Sequence, residues 1–417
     1  MVGLLNMKKI NFLKKLRTSA ISILVLCGSI TTAQAATSEV ISPMEGIISD
    51  EAYSPGSEPI IANNEMRVVV LGSGLLPVAM EQASACFFVE LGNGDKFLFD
   101  VGSQCHSRIA AQKIAYNYMD KLFLSRLHSD NIADLPSFWL GGTVMNRITP
   151  LRIWGPSGDT PQLGTQHTLN VMHKMYAWDR ATRGGVIDAR GMVLNITEID
   201  HTASGKVVYD KSGVIIRSFA SAGKKAGSIS YGLEWNGLKF AYAGSTKASK
   251  EWIDYAKGGD IVIHQAKEFA HAMAQIQPRM GIVGNFHNNA VNSKALRSKV
   301  AETYQGSYAI GADYLTFNVS KEAINVRRGI EDPEIWPIKA PIPKIPEVDK
   351  LYIIGLLTGY SQAAVLPMTD VVLPIYQELN EQHGTDYYPI SSYSFVKALK
   401  DLRSLKRKVT FSDPADE

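Results

Sequence analysis

Long apolar runs, surplus charge of either sign and cysteines are all scarce in this chain of 417 residues. The apolar stretch from Ala20 to Ile30 is too short to span a bilayer. It follows a basic start (Lys8, Lys9, Lys14, Lys15, Arg17) and precedes the small-x-small pattern Ala33-Gln34-Ala35. Residues 1–35 therefore read as an export signal cleaved after Ala35, which sends the mature chain to the periplasm or outside the cell. Lys and Arg number 43 against 40 Asp and Glu, and five of the basic residues lie in that signal, leaving 38 against 40. A near-neutral mature chain gives no argument for nucleic acid or an anionic membrane as partner. Of the three cysteines, Cys27 sits in the signal, behind a bulky Leu26 where lipid-anchor signals want a small residue. Cys86 and Cys105 remain, able to form one disulfide in an oxidising compartment; a buried free thiol at Cys86 is equally ordinary.

Several motifs are missing too. Gly72-Ser73-Gly74 is followed by neither G-x-G-x-x-G nor a phosphate-loop pattern, so it reads as a structural turn. Ser245 lacks any G-x-S-x-G or S-x-x-K context, which leaves a Ser245–His128 nucleophile pair as the weakest catalytic reading. No internal repeat is evident.

What is present divides the chain into five parts: the signal (1–35), a polar leader (36–66), a main domain (67–330), a Pro-rich linker (331–349) and a helical appendage (350–417). Strand patterns are expected at Arg67–Leu71, Ala85–Leu91, Lys96–Val101 and Lys121–Leu124, with an Asn93-Gly94-Asp95 turn. Further strands are expected at Val214–Ser218, Ser228–Trp235, Leu238–Ala243 and Asp260–His264. Helical patterns lie around Arg108–Tyr118, Gln162–Ala177 and Lys250–Ala256, and in the appendage at Asp370–Glu381 and Ser391–Leu405. Strands punctuated by a few helices suit two sheets sandwiched between helices. Pro333, Pro337, Pro341, Pro343 and Pro346 make the linker stiff.

The segment Phe123-Leu124-Ser125-Arg126-Leu127-His128-Ser129-Asp130-Asn131-Ile132-Ala133-Asp134-Leu135-Pro136 is the most informative. It resembles the H-x-H-x-D-H metal loop of the metallo-β-lactamase superfamily. Val69-Val70-Leu71-Gly72-Ser73-Gly74, Phe99-Asp100-Val101-Gly102-Ser103, Trp154-Gly155-Pro156-Ser157-Gly158, Leu233-Glu234-Trp235-Asn236-Gly237-Leu238 and Asp260-Ile261-Val262-Ile263-His264 extend the likeness in the family's order. They are similar to one branch in particular, secreted hydrolases related to tRNA 3′-processing endonucleases and arylsulfatases, including guanitoxin-biosynthesis-type metallo-hydrolases.

The resemblance implies a four-layer αββα sandwich, here with a C-terminal helical appendage, and a family site of two zinc ions. Matched by motif, the first histidine falls at Arg126, the second at His128, the loop aspartate at Asp130 and the next histidine at Asn131. The mid-chain histidine falls at Gly223, after Ser218-Phe219-Ala220-Ser221-Ala222, and the bridging aspartate at Ser245 of Gly244-Ser245-Thr246. His287 of Asn285-Phe286-His287 matches either the last ligand or a neighbouring histidine that is not one. Only His128, Asp130 and ambiguously His287 keep metal-binding chemistry, and catalytic zinc needs about three protein ligands.

A pocket deprived of two dications needs another cation for its carboxylates. Arg126 is the candidate, pairing with Asp130 and also with Asp100; an exposed surface pair is the plain alternative. Lys224 and Lys225 are candidates for positive charge at the pocket mouth. His264 reads as a structural histidine, and His106, His201 and His271 are the residues from which a new one-metal site with His128 could be rebuilt. The expected function is an exported, non-catalytic binding or partner subunit with no cofactor. It would assemble with itself or with an active homologue. The alternative is a zinc-dependent hydrolase of esters, aryl sulfates or phosphodiesters with a rebuilt site.

Overall fold

The computed structural model describes residues 39–41, 61–114, 119–145, 147, 149–183, 189–223 and 227–329. The segments expected to be signal, linker and appendage, with the two helices expected in the last, lie outside the described residues, as do Lys224 and Lys225. The first half of the chain runs β1 (Glu39–Ile41), β2 (Met66–Gly72), β3 (Cys86–Leu91), β4 (Lys96–Phe99), α1 (Cys105–Ala111), β5 (Lys121–Phe123), α2 (Ser129–Ile132), α3 (Leu135–Val144), β6 (Leu151–Pro156), α4 (Thr165–Met175), α5 (Ala177–Thr182) and β7 (Leu194–Ile199). The second half runs β8 (Lys206–Lys211), β9 (Val214–Ala220), β10 (Ile229–Trp235), β11 (Leu238–Tyr242), α6 (Lys250–Ala256), β12 (Ile261–Gln265), α7 (Phe269–Ile276), β13 (Met280–Gly284), α8 (Ala290–Ala301), β14 (Tyr308–Ile310), β15 (Leu315–Val319) and β16 (Ala323–Arg328).

These strands form a nine-stranded sheet, ordered β1-β16-β15-β2-β3-β4-β5-β6-β7, and a seven-stranded sheet, ordered β14-β13-β12-β11-β10-β9-β8. Alternation along each strand decides what each face covers. Val68 and Val70 of β2, Phe87 and Val89 of β3, and Phe99 of β4 point between the sheets, where they meet Tyr231, Phe240, Tyr242 and Ile263. Val69, Leu71, Phe88 and Leu98 point outward, under Ile109 of α1, Trp139 of α3 and Leu169 of α4. Ala241, Val262 and Val283 point outward on the other side, under Trp252 of α6, Phe269 and Met273 of α7 and Val300 of α8. Buried on both faces, the central strands read as continuous apolar runs. The result is the expected αββα sandwich.

Two departures have physical causes. The leader, expected to be irregular, supplies β1, which pairs in parallel with β16 at a sheet edge. Helix α3 was not expected from Leu-Pro-Ser-Phe-Trp-Leu-Gly-Gly-Thr-Val, because Pro and a Gly pair weaken helical propensity. The proline sits in the first turn, where its missing N–H is no loss, and Phe138 and Trp139 are fully buried against the sheet.

Cys86 of β3 and Cys105 at the start of α1 form a disulfide, with Cα atoms 5.8 Å apart and both residues fully buried. It closes a short loop of 19 residues of sequence separation. Replacing both cysteines with alanine is expected to cost about 3 kcal/mol from loop-closure entropy. Chemical denaturation of the variant and of wild type with and without reductant checks this. An unchanged midpoint in all three would show that the bridge contributes nothing.

Candidate functional site

The candidate site lies where strand ends of the two sheets meet. Parallel β4 and β5 deliver Asp100 and the Ser125–Asn131 loop from one sheet. Parallel β11, β12 and β13 deliver Gly244-Ser245 and Asn285 from the other. The loops approach closely: a Cβ on Gly102 would sit 2.2 Å from the Asp130 carbonyl oxygen, so only glycine fits there. Asp100 (φ 58°) and Asn285 (φ 48°) hold left-handed backbone, which Asn and Asp tolerate better than most. Such strain gathers at sites that the surrounding structure over-determines.

Asp100 is fully buried and accepts four hydrogen bonds. Oδ1 takes the Ser125 N–H at 2.7 Å, and Oδ2 takes Ser125 Oγ, Asn131 Nδ2 and Tyr242 Oη, each at 2.6 Å. Burial nevertheless pushes its carboxyl up to about 6, since the donors only partly offset lost hydration. Above it, Arg126 donates from Nε to Asn131 Oδ1 (2.6 Å), from Nη1 to the Ser245 carbonyl (2.8 Å) and from Nη2 to Asp130 Oδ2 (2.7 Å). Ser245 Oγ accepts from Asn285 Nδ2 and lies 3.4 Å from Asn131 Nδ2.

The structure thus joins Arg126, Asp130, Asn131, Asp100 and Ser245, with one correction. Arg126 does not pair directly with Asp100; Asn131 stands between, accepting from the guanidinium and donating to the carboxylate. Ser125, Tyr242 and Asn285 were missed as site residues. Each lies within three residues of one already singled out, but none has a ligand-type side chain to mark it.

The other candidates do not converge. His128 precedes α2 with its side chain 49% exposed and Nδ1 4.0 Å from Asp130 Oδ1. Its pairing with Ser245 is not made, since Ser245 Oγ is engaged by the two asparagines. His287 contributes its carbonyl, which accepts from Asn289 N and Asn292 Nδ2. Exposed Gly223 offers no side chain, and its N–H bonds Ser221 Oγ at 3.0 Å. His264 is a structural histidine, as expected: it is buried, with Nδ1 2.9 Å from the Gln265 carbonyl and its pKa depressed by desolvation. His106 lies on α1, His201 beside Ser157 and His271 exposed on α7, so the rebuilt site with His128 is not assembled. No group of three or more His, Cys, Asp or Glu side chains that could hold a metal exists among the described residues.

Tested against a zinc pair, these residues do not fit. A guanidinium and two asparagine side chains fill the space with donors, and a fixed cation repels a dication.

No family model matches the chain. Ribonuclease Z of Ignicoccus hospitalis is 25% identical over 236 residues, covering 49% of this chain and 78% of that protein. The metallo-β-lactamase fold protein YhfI of Bacillus subtilis is 14% identical, covering 61% of this chain and all of that one, with a TM-score of 0.47. Zn2+-bound PqqB of Methylobacterium extorquens is 13% identical over 61% of this chain and 100% of that one, with a TM-score of 0.43. The layering and the sequence relationship together define a metallo-β-lactamase fold. Within that class the chain is related to ribonuclease Z.

Two expectations change. The absence of a cofactor does not stand: the sequence relatives are ribonuclease Z proteins, the branch whose resemblance implies a two-zinc centre. Metal is therefore the cofactor to test for, even though the motif-matched positions do not fit a zinc pair. The lean away from catalysis also finds no support in relatives that bear the name of a ribonuclease.

Proposed function

We propose that this protein is an exported, hydrolase-type member of the metallo-β-lactamase fold that takes an anionic ester at the Arg126 pocket. The single observation behind it is a guanidinium fixed on three sides, by Asp130, Asn131 and the Ser245 carbonyl, at the head of the loop resembling the family's metal loop. Those bonds use three of its five N–H donors and leave one each on Nη1 and Nη2 for a ligand oxygen. Aryl sulfates, phosphodiesters and esters of acidic acids are the substrate classes that fit. Export is supported by the signal pattern and by the Cys86–Cys105 disulfide, which suits an oxidising compartment.

Hydrolysis is the reading that the ribonuclease Z relationship favours. A second reading is a binding subunit assembled with a homologue that has a full ligand set. It is favoured by the misfit between the pocket's donors and a zinc pair. One experiment separates them. The mature chain is purified with zinc present, its metal content is read by inductively coupled plasma mass spectrometry, and turnover of p-nitrophenyl sulfate and bis(p-nitrophenyl) phosphate is followed with and without chelator. Stoichiometric zinc with chelator-sensitive turnover establishes the hydrolase. No turnover, with sulfate raising the melting temperature of wild type but not of Arg126→Ala, establishes binding alone.

A further inference from the structure

Ser157 follows the last residue of β6, and His201 lies two residues past the end of β7. Ser157 Oγ is 2.9 Å from His201 Nδ1, and His201 Nε2 is 3.5 Å from Asp159 Oδ1. The backbone N–H of His201 also donates to Ser157 Oγ at 3.1 Å. The imidazole is 15% exposed, while Asp159 is 67% exposed. A staple between two strand ends accounts for the backbone bond. It does not account for a ring nitrogen turned onto the same oxygen with a carboxylate beyond the other nitrogen. That order of hydroxyl, imidazole and carboxylate is the arrangement that activates a serine nucleophile, recognised by geometry and roles rather than by a local motif.

The placement matters as much as the distances. Phe123 of β5 and Trp154 of β6 are register partners in parallel strands, and so are Pro156 of β6 and Ile199 of β7. Arg126 lies three residues beyond Phe123, and Ser157 three beyond Trp154. Arg126, Ser157 and His201 therefore leave consecutive parallel strands at one edge of the sheet, with neighbouring strands about 4.8 Å apart. Ligands of open α/β sheets bind outside the carboxyl ends of the strands.

We infer that Ser157, His201 and Asp159 form a metal-independent esterase site for carboxylic esters. With the proton of the neutral imidazole on Nε2, facing Asp159, Nδ1 is free to accept from Ser157 Oγ–H. Oγ attacks the ester carbonyl carbon as its proton passes to Nδ1. Collapse of the tetrahedral adduct breaks the bond to the alcohol oxygen, which takes that proton and leaves. Water then attacks the acyl-serine, giving a proton to Nδ1 that returns to Oγ as the carboxylic acid is released. The 3.5 Å contact to Asp159 is long, as such bonds often are before substrate binds. A preference for esters that also bear an acidic group rests on the Arg126 reading above; the esterase site itself does not.

The test uses the mature chain in excess EDTA. A fluorophosphonate probe is expected to add to wild type, with peptide mapping placing the adduct on Ser157. Hydrolysis of p-nitrophenyl acetate is expected to fall at least about a hundredfold in Ser157→Ala and in His201→Gln, with circular dichroism confirming the fold. Wild type is expected to show a higher kcat/KM for mono-p-nitrophenyl succinate than for the acetate. No adduct on Ser157, or full turnover by folded Ser157→Ala, overturns the site. An adduct on Ser157 with no succinate preference overturns only the anionic part and counts against Arg126 as an anion receptor.

Discussion

Arg126→Ala is expected to lower the melting temperature by about 10 °C. The substitution strands a nearly buried carboxylate, Asp130, together with Asn131 Oδ1 and the Ser245 carbonyl, all of which now accept from the guanidinium. Breaking such a pair by removing one partner costs about 3–5 kcal/mol, because the remaining charge stays buried and uncompensated. A domain of this size loses about 2–4 °C per kcal/mol. Removing the second partner as well, in Arg126→Ala/Asp130→Ala, is expected to recover part of the loss, giving a coupling energy of about 1–3 kcal/mol in the double-mutant cycle. Thermal melts of the four proteins measure it. If Arg126→Ala melts like wild type, the guanidinium is an ordinary surface group.

The second large effect concerns pH. Asp100 has its folded pKa pushed up to about 6, from an ordinary value of 3.8, by complete burial. A raised folded pKa means that the native state holds this proton more tightly than the unfolded chain does. Its stabilising contribution is therefore complete below about 3.8 and is lost as pH rises through about 6. About two pH units correspond to about 3 kcal/mol. Asp313, paired with Arg108 at 2.8 Å, is likewise pushed up to about 6 by burial and adds a slope of the same sign. Asp100→Asn is expected to remove its share of the slope and to lower stability at every pH, because the Ser125 and Tyr242 hydroxyls can turn to accept from the new amide but the Asn131 N–H, held by Arg126, cannot. Urea midpoints of wild type and variant between pH 4.5 and 7.5 give the comparison. Parallel profiles would mean that Asp100 does not titrate in that window.

Much of the fold was legible because the central strands obey simple patterns. Arg67–Leu71 and Leu238–Ala243 are mostly apolar and emerged within a residue of expectation, as Met66–Gly72 and Leu238–Tyr242. Lys250–Ala256 was readable to the residue, with Ser249 capping it through Trp252 N. Tertiary burial overrode propensity at α3, and a distant strand recruited β1, neither of which local pattern reports. At the site, the Arg126–Asp130 pair followed from a four-residue spacing on one loop. The role of Asn131 did not, because an amide that donates to one partner and accepts from another can be assigned only when both partners are in place. The Ser157–His201 contact spans 44 residues and depends on the register of β6 and β7, which no motif encodes.

Asn131 also fixes what an evolutionary or engineering path through this pocket must look like. Asn131 accepts from Arg126 Nε and donates to Asp100 Oδ2, so any replacement there has to keep an acceptor on one side and a donor on the other. Arg126 donates to three acceptors at once, and a histidine there would offer at most two N–H groups to them. The two positions are bonded to each other, so changing both is not expected to equal the sum of the two single changes. Any redesign of this loop has to be judged on the pair rather than on either residue alone.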